Sequence, residues 1–202
     1  MRSNPLSIIF ALLLLSTQNL WATDPPVDEK AILSPPLQAV QTVNLALNFD
    51  ITSIVFNFYF SSDFQNGVGA NNSIYTNGTV DSNVRWEVAC TANSDLQHTQ
   101  GNYSIPIDQI GVKIVLTGNF GNNKIKNNAK NHPKALSLSE IVLLEPRNKN
   151  KNNAGTSADN AFTIYWQMGT TNGNMNNLSI DNGNYQYGQY TTHATFVLRE
   201  AI

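Results

Sequence analysis

Three histidines, one cysteine and a scatter of carboxylates are the raw material for catalysis or metal binding in this 202-residue chain. His98, His132 and His193 stand far apart, and none has a second imidazole at the short spacing by which two histidines share a zinc ion. Cys90 falls on the apolar side of an alternating stretch, where a small buried hydrophobe is expected and not a ligand or nucleophile. The acids stand singly, so no carboxylate pair points to glycoside hydrolysis. Neither a nucleophile elbow nor a phosphate-binding loop occurs. Asp181-Asn182-Gly183-Asn184 and Asp159-Asn160 are oxygen-rich, yet neither fits the twelve-residue calcium loop with its closing Glu, and Asn/Gly turns explain both. The expectation is a non-catalytic protein with no cofactor and no metal.

Charge and aromatic residues say more. Lys124, Lys126, Lys130, Lys134, Arg147, Lys149 and Lys151 are seven of the twelve cations. Only Glu140 and Glu145 oppose them, a net of +5, while the remaining five cations and twelve acids give −7 and so the total of −2. Such asymmetry steers an anionic partner, for example an acidic wall or capsular polymer. Two solvated Asn/Lys loops kept soluble by charge are the simpler alternative. Read as one strand at about 3.3 Å per residue, residues 135–145 span roughly 35 Å and put the two basic loops at opposite ends of the fold. A shared site requires that segment to fold back. Tyr59, Tyr165, Tyr185, Tyr187 and Tyr190 are candidates for stacking on sugar rings, with Tyr185-Gln186-Tyr187 the most concentrated, although loop packing accounts for them equally. Nucleic acid is not an expected partner at an isoelectric point near 5.8.

The elements that must position these groups have period two. Val84, Trp86, Val88, Cys90 and Ala92 alternate with Arg85, Glu87, Ala89 and Thr91, the pattern of a strand with one dry face. Trp86 is the largest side chain on that face, so neighbouring strands must be built around it. Alternation recurs at 43–51, 54–60, 110–116, 162–168 and 190–198, and 54–60 is apolar enough to lie centrally in a sheet. Asn77-Gly78 predicts a small hairpin over 74–80. Ile105-Pro106-Ile107 is an edge segment, because Pro106 has no amide hydrogen. Residues 135–145 break alternation near Ser139-Glu140, which indicates a strand with a bulge or bend, or else a short helix without a cap. Residues 93–102, 118–134, 147–160 and 169–188 read as loops, and the 29 asparagines mark turns. Helical period never exceeds one turn. The fold class is therefore all-β, an antiparallel β-sandwich of about seven to nine strands, Ig-like or jelly-roll-like, with a closed barrel as the competitor that long, uneven loops disfavour.

The N-terminus sets an address. A short cationic start, about ten apolar residues from Leu6 to Leu15 and a small residue at Ala22 make residues 1–22 a secretory signal peptide. The apolar run is too short to span a bilayer, so no transmembrane segment is expected after cleavage. Residues 23–36, with Pro25, Pro26, Pro35 and Pro36, read as a linker, and 37–202 as a single sandwich domain. The expected location is secreted or cell-surface, or periplasmic and outer-membrane-associated. With Cys90 alone, no internal disulfide is possible and the core must supply stability. Asn-x-Ser/Thr triplets begin at Asn71, Asn77, Asn102 and Asn177, a number that the Asn content alone produces.

Two stretches together carry a family resemblance. Trp86-Glu87-Val88 resembles the first Trp-x-Leu motif of the WxL domains of secreted bacterial surface proteins, with Val88 in place of Leu. Tyr190-Thr191-Thr192-His193-Ala194-Thr195-Phe196-Val197-Leu198 resembles their distal Tyr-x-x-x-Leu-Thr-Trp-x-Leu motif. It keeps Tyr190, Thr195 and Leu198 and has Ala194 and Phe196 at the Leu and Trp positions. The resemblance spans roughly residue 84 to the end. It implies a β-rich fold, non-covalent attachment to the cell wall through peptidoglycan, and surface polysaccharide or other surface proteins as partners. The ending is also similar to the last strand of fimbrial subunits, which implies assembly by strand complementation with residues 43–51 as the donated arm. A secreted glycan-acting enzyme or carbohydrate-binding module is the third class, and a substrate panel discriminates it.

Overall fold

Alternating apolar residues become strands wherever one face finds an opposing sheet to bury against. The computed structural model describes residues 42–169 and 186–201. The leader 1–22, the linker 23–36, Tyr185 and the loop 181–184 lie outside the described residues. In chain order the elements are β1 (Leu45–Phe49), β2 (Phe56–Phe58), helix α1 (Ser61–Asn66), β3 (Tyr75–Ser82), β4 (Trp86–Ala92), β5 (Leu96–His98) and β6 (Ser104–Ile105). There follow β7 (Ile110–Leu116), the one-turn helix α2 (Gly121–Lys124), β8 (Ile125–Asn127), β9 (Lys134–Ala135), β10 (Ile141–Pro146), β11 (Ala161–Met168), β12 (Gly188–Thr191) and β13 (Ala194–Glu200).

The protein is an all-β sandwich. One sheet has the order β1-β3-β11-β7-β9, a second β13-β4-β10-β8, and a small third β2-β12-β5-β6, with neighbours antiparallel. The two larger sheets meet through aromatic rings. Phe196 of β13 lies 5.0 Å from Phe49 of β1 and 6.2 Å from Trp166 of β11, edge-on in both cases. At the other side Asn127 Nδ2 donates to the Ile114 carbonyl at 2.7 Å and the Ile114 N–H donates to the Ala129 carbonyl at 2.9 Å. The end of β8 thereby leans across to β7. Trp86, Val88, Val112, Ile114, Leu143, Leu144, Phe162 and Ile164 fill the interior between.

The third sheet is a continuation. β5 and β12 extend the β4–β13 pair past a bend, where the Asn93 N–H donates to the His193 carbonyl at 2.9 Å and Thr192 Oγ1 donates to the Ser94 carbonyl at 2.8 Å. Residues 190–198, read as one closing strand, are consequently two strands in two sheets. Helix α1 caps this end, its Phe64 ring 4.5 Å from Phe58. The helix starts where the Asp63 carboxylate accepts the N–H groups of Tyr59 and Phe60 at 2.8 and 2.9 Å.

Several local expectations are corrected. Residues 54–60 give only the three-residue β2 at a sheet edge, because their apolar side chains are shared between the small sheet and α1. Asn77-Gly78 is no turn; it lies inside the continuous strand β3. Gly78 faces Phe49 on one neighbouring strand and Phe162 on the other, and the two rings meet edge-on at 6.2 Å above it. A Cβ there would stand 2.4 Å from Phe162 Cζ, so the glycine serves close ring packing and not chain reversal. Residues 135–145 are not one strand: β9 belongs to the five-stranded sheet and β10 to the four-stranded one, with a bulge between Val142 and Leu144.

Candidate functional site

The basic residues converge because β8 runs antiparallel to β10. That pairing sets Lys126 against Glu145 and Ile125 against Pro146. Just beyond it the Arg147 N–H donates to the Lys124 carbonyl at 2.9 Å, and Arg147 Nη1 donates to the Asn122 carbonyl. The two basic stretches thus meet, where a single 35 Å strand would have separated them. The return of β8 alongside β10 is the physical reason.

Each cation has its own surroundings. Lys124 Nζ stands 3.6 Å from the centroid of the Phe120 ring, a cation–π contact. Asp159 is close enough for the Lys124 charge to act on it, although hydrogen bonds from Thr156 and Asn119 do more to hold its carboxyl below the usual range. Lys126 Nζ donates to Glu145 Oε1 at 2.8 Å and Asn128 Nδ2 to the same oxygen at 2.9 Å. Those two bonds, with smaller help from the Lys126 and Lys134 charges, hold Glu145 below its ordinary range. With side chains 54% and 30% exposed, the Lys126–Glu145 pair adds little stability. Glu140 is bound to Arg199 of β13 at 2.8 and 3.0 Å. Arg147, Lys149, Lys151 and Lys130 are exposed, Lys130 in the turn before β9, and Lys134 lies on β9 opposite Val112. Among the described residues Lys130, Arg147, Lys149 and Lys151 form no ion pair. Exposed cations on a loop framework recognise charge.

The motif residues fall on neighbouring strands. Phe196 pairs with Cys90 and Leu198 with Val88, so Trp86, Val88, Phe196 and Leu198 line one interior. Ala194 and Thr195 are both exposed: the alternation read over 190–198 does not turn Ala194 inward, since β13 is an edge strand whose start lies at the bend. Tyr190 is buried in the small sheet, 6.0 Å from Phe58 and 5.0 Å from His98, which removes it from any sugar-stacking surface. Cys90 is buried, and burial pushes its thiol up to about 12. It is an inert core residue.

Asn153 was not legible as functional, yet it closes the site of Trp86. Its Oδ1 accepts the Trp86 N–H at 3.1 Å, its Nδ2 donates to the Trp86 carbonyl at 2.9 Å, and its carbonyl accepts the indole Nε1–H at 2.8 Å. The side chain acts as one more strand pairing where β4 begins. Only its place in an Asn-rich loop, opposite a tryptophan with a buried N–H to satisfy, could have signalled this.

His98 is likewise no loop residue. It lies buried in β5, its Nδ1 accepting the Gln100 N–H at 3.1 Å, which leaves Nε2–H to donate to the Tyr187 carbonyl at 3.0 Å. Gly188, at φ 138°, passes so close that a Cβ would be 2.5 Å from His98 Nε2. Tyr187 stays 50% exposed with its ring edge-on to Phe64 at 5.8 Å, Tyr59 is exposed, and Tyr165 stands beside Tyr75 on the outer face of the five-stranded sheet. Among the described residues no group of three His, Cys, Asp or Glu side chains is placed to hold a metal ion, and no helix is long and apolar enough to cross a membrane. No family model and no curated protein matches this chain.

Proposed function

We propose that this chain is an exported, non-catalytic β-sandwich of the bacterial cell envelope that attaches to surface polymer. Its contact is the basic end formed by Lys124, Arg147, Lys149 and Lys151. The observation that carries the reading is the pairing of β8 with β10, which joins two basic stretches separated by more than ten residues into one end of the sandwich. The signal-like leader and the resemblance to WxL domains support the location, and the net +5 of the span supports an acidic wall or capsular partner. Retention on purified cell walls tests it. Binding at low salt that is lost at high salt, and lost in the combined Lys124→Gln, Arg147→Gln, Lys149→Gln, Lys151→Gln variant, is the expected result. Absence of retention at low salt overturns the proposal, and retention indifferent to salt overturns the role of the basic end.

One observation favours a second reading, a pilin-like subunit that assembles by strand complementation. β1 is an edge strand held to its sheet by β3 alone, and the largely exposed residues 50–55 join it to a different sheet. Deleting residues 43–51 should then abolish polymers and leave a monomer that accepts the matching peptide. A chain that never polymerises retires this reading.

A further inference from the structure

The outer face of the five-stranded sheet presents a second surface, independent of the basic end. β3 and β11 set Tyr75 directly opposite Tyr165, with ring centroids 6.3 Å apart and planes at 57°. On the far side of β11, β7 sets Lys113 opposite Tyr165. Directly opposed residues of antiparallel strands share a face, so these three side chains form one row. The next row on that side is Asn77, Thr163 and Val115, of which Asn77 and Val115 are exposed and Thr163 is buried between its neighbours. Thr163 Oγ1 donates to Asn77 Oδ1 at 2.8 Å, and the Asn77 N–H and Nδ2 donate to the two oxygens of Asp50, each at 2.8 Å. An exposed carboxylate is thereby fixed on Asn77, one outward position along β3 from Tyr75. At about 4.8 Å between strands and about 6.8 Å between alternate residues, the two rows cover roughly 10 by 7 Å, an area suited to one or two sugar rings.

The chemistry of the face narrows its occupant. Tyr75 is 46% exposed, and among the described residues neither its hydroxyl, nor that of Tyr165, nor the Lys113 ammonium has a hydrogen-bond partner. A cross-strand aromatic pair stabilises a sheet without needing a clamped carboxylate on one side and an unpaired cation on the other. An apolar protein partner would leave Asp50 and Lys113 desolvated at a cost. A sugar ring satisfies the whole set: its C–H face lies on the tyrosines and its hydroxyls bond Asp50, the phenols and Lys113. We propose that this face binds a linear polysaccharide, with Tyr75 and Tyr165 as the stacking platform and Asp50 as the hydroxyl acceptor. The site uses sugar faces and not net charge, so it succeeds or fails separately from the basic end.

Affinity electrophoresis of the full chain through gels containing a soluble neutral glucan or polygalacturonate tests this, in about 0.5 M salt to screen the lysines. Retardation by at least one polysaccharide is expected, weakened about tenfold or more by Tyr165→Val and by Asp50→Asn, and unchanged in the Lys124→Gln, Arg147→Gln variant. Tyr165→Val keeps a β-branched residue in the strand, and Asp50→Asn leaves the core untouched, so a melting profile identifies any variant that merely unfolds. No retardation by either polysaccharide overturns the proposal. So does retardation that Tyr165→Val and Asp50→Asn leave intact, or that follows the basic-end variant instead.

Discussion

Asn153→Ala removes two partners from the main chain of Trp86 while leaving the indole N–H bonded to the residue-153 carbonyl. The Trp86 N–H and carbonyl are then stranded in a fully buried place, since both Trp86 and Asn153 have no exposed surface. Each buried backbone group left unpaired costs about 1–3 kcal/mol, so the substitution should destabilise by about 2–6 kcal/mol, at the lower end if a water enters. Asn153→Asp keeps an acceptor for the N–H but loses the donor and buries a charge, and should be worse at neutral pH. Urea titration followed by tryptophan fluorescence reads both, with an unchanged slope showing that the unfolded state is the same. A loss for Asn153→Ala below about 0.5 kcal/mol, the scale of ordinary surface changes, would refute the closure of β4 by this side chain.

Other consequences are checked in the same way. Trp86→Ala should cost about 3–5 kcal/mol in a urea titration, the scale for deleting a large buried aromatic. Gly78→Ala should cost about 1–3 kcal/mol, because its methyl would overlap the Phe162 ring and force the Phe49–Phe162 pair apart. With its thiol raised to about 12, Cys90 should be silent to thiol reagents at pH 8 in the native chain and react once urea unfolds it; rapid labelling without urea contradicts its burial. Glu145 and Asp159 are held below their ordinary values of 4.5 and 3.8, so their stabilising contributions are present above those values and fade as pH falls through the lower folded-state range. Both groups are partly exposed, so the effect is small, and Glu145→Gln should flatten the acid limb of a stability–pH curve.

What the sequence disclosed depended on which interactions each signal reports. Alternation reports burial of one face, and it located β4, β7 and β11 because those strands lie between facing sheets. It overstated 54–60, whose phenylalanines Phe56 and Phe58 are buried by a three-residue strand while Tyr59 and Phe60 turn outward. Asn-Gly reports the backbone's freedom to reverse, which Gly78 does not use; its missing Cβ makes room for two rings contributed by distant strands. β5 and β8 were invisible because three-residue strands take their pairing from neighbours and not from their own pattern. The same holds for the candidate sites. The seven cations could be counted from the chain, but the meeting of Lys124 with Arg147 depends on the pairing of β8 with β10, and the Tyr75–Tyr165 row depends on register across 90 residues of chain.

Hydrogen exchange at Trp86 tests most directly whether one sealed interior is built around this indole. The main-chain N–H and the indole Nε1–H are both buried and both bonded to Asn153. They are expected to exchange only through global unfolding, with protection that matches the free energy from urea titration. Exchange of either proton within minutes in an otherwise stable chain would contradict that interior and the sandwich organised around it.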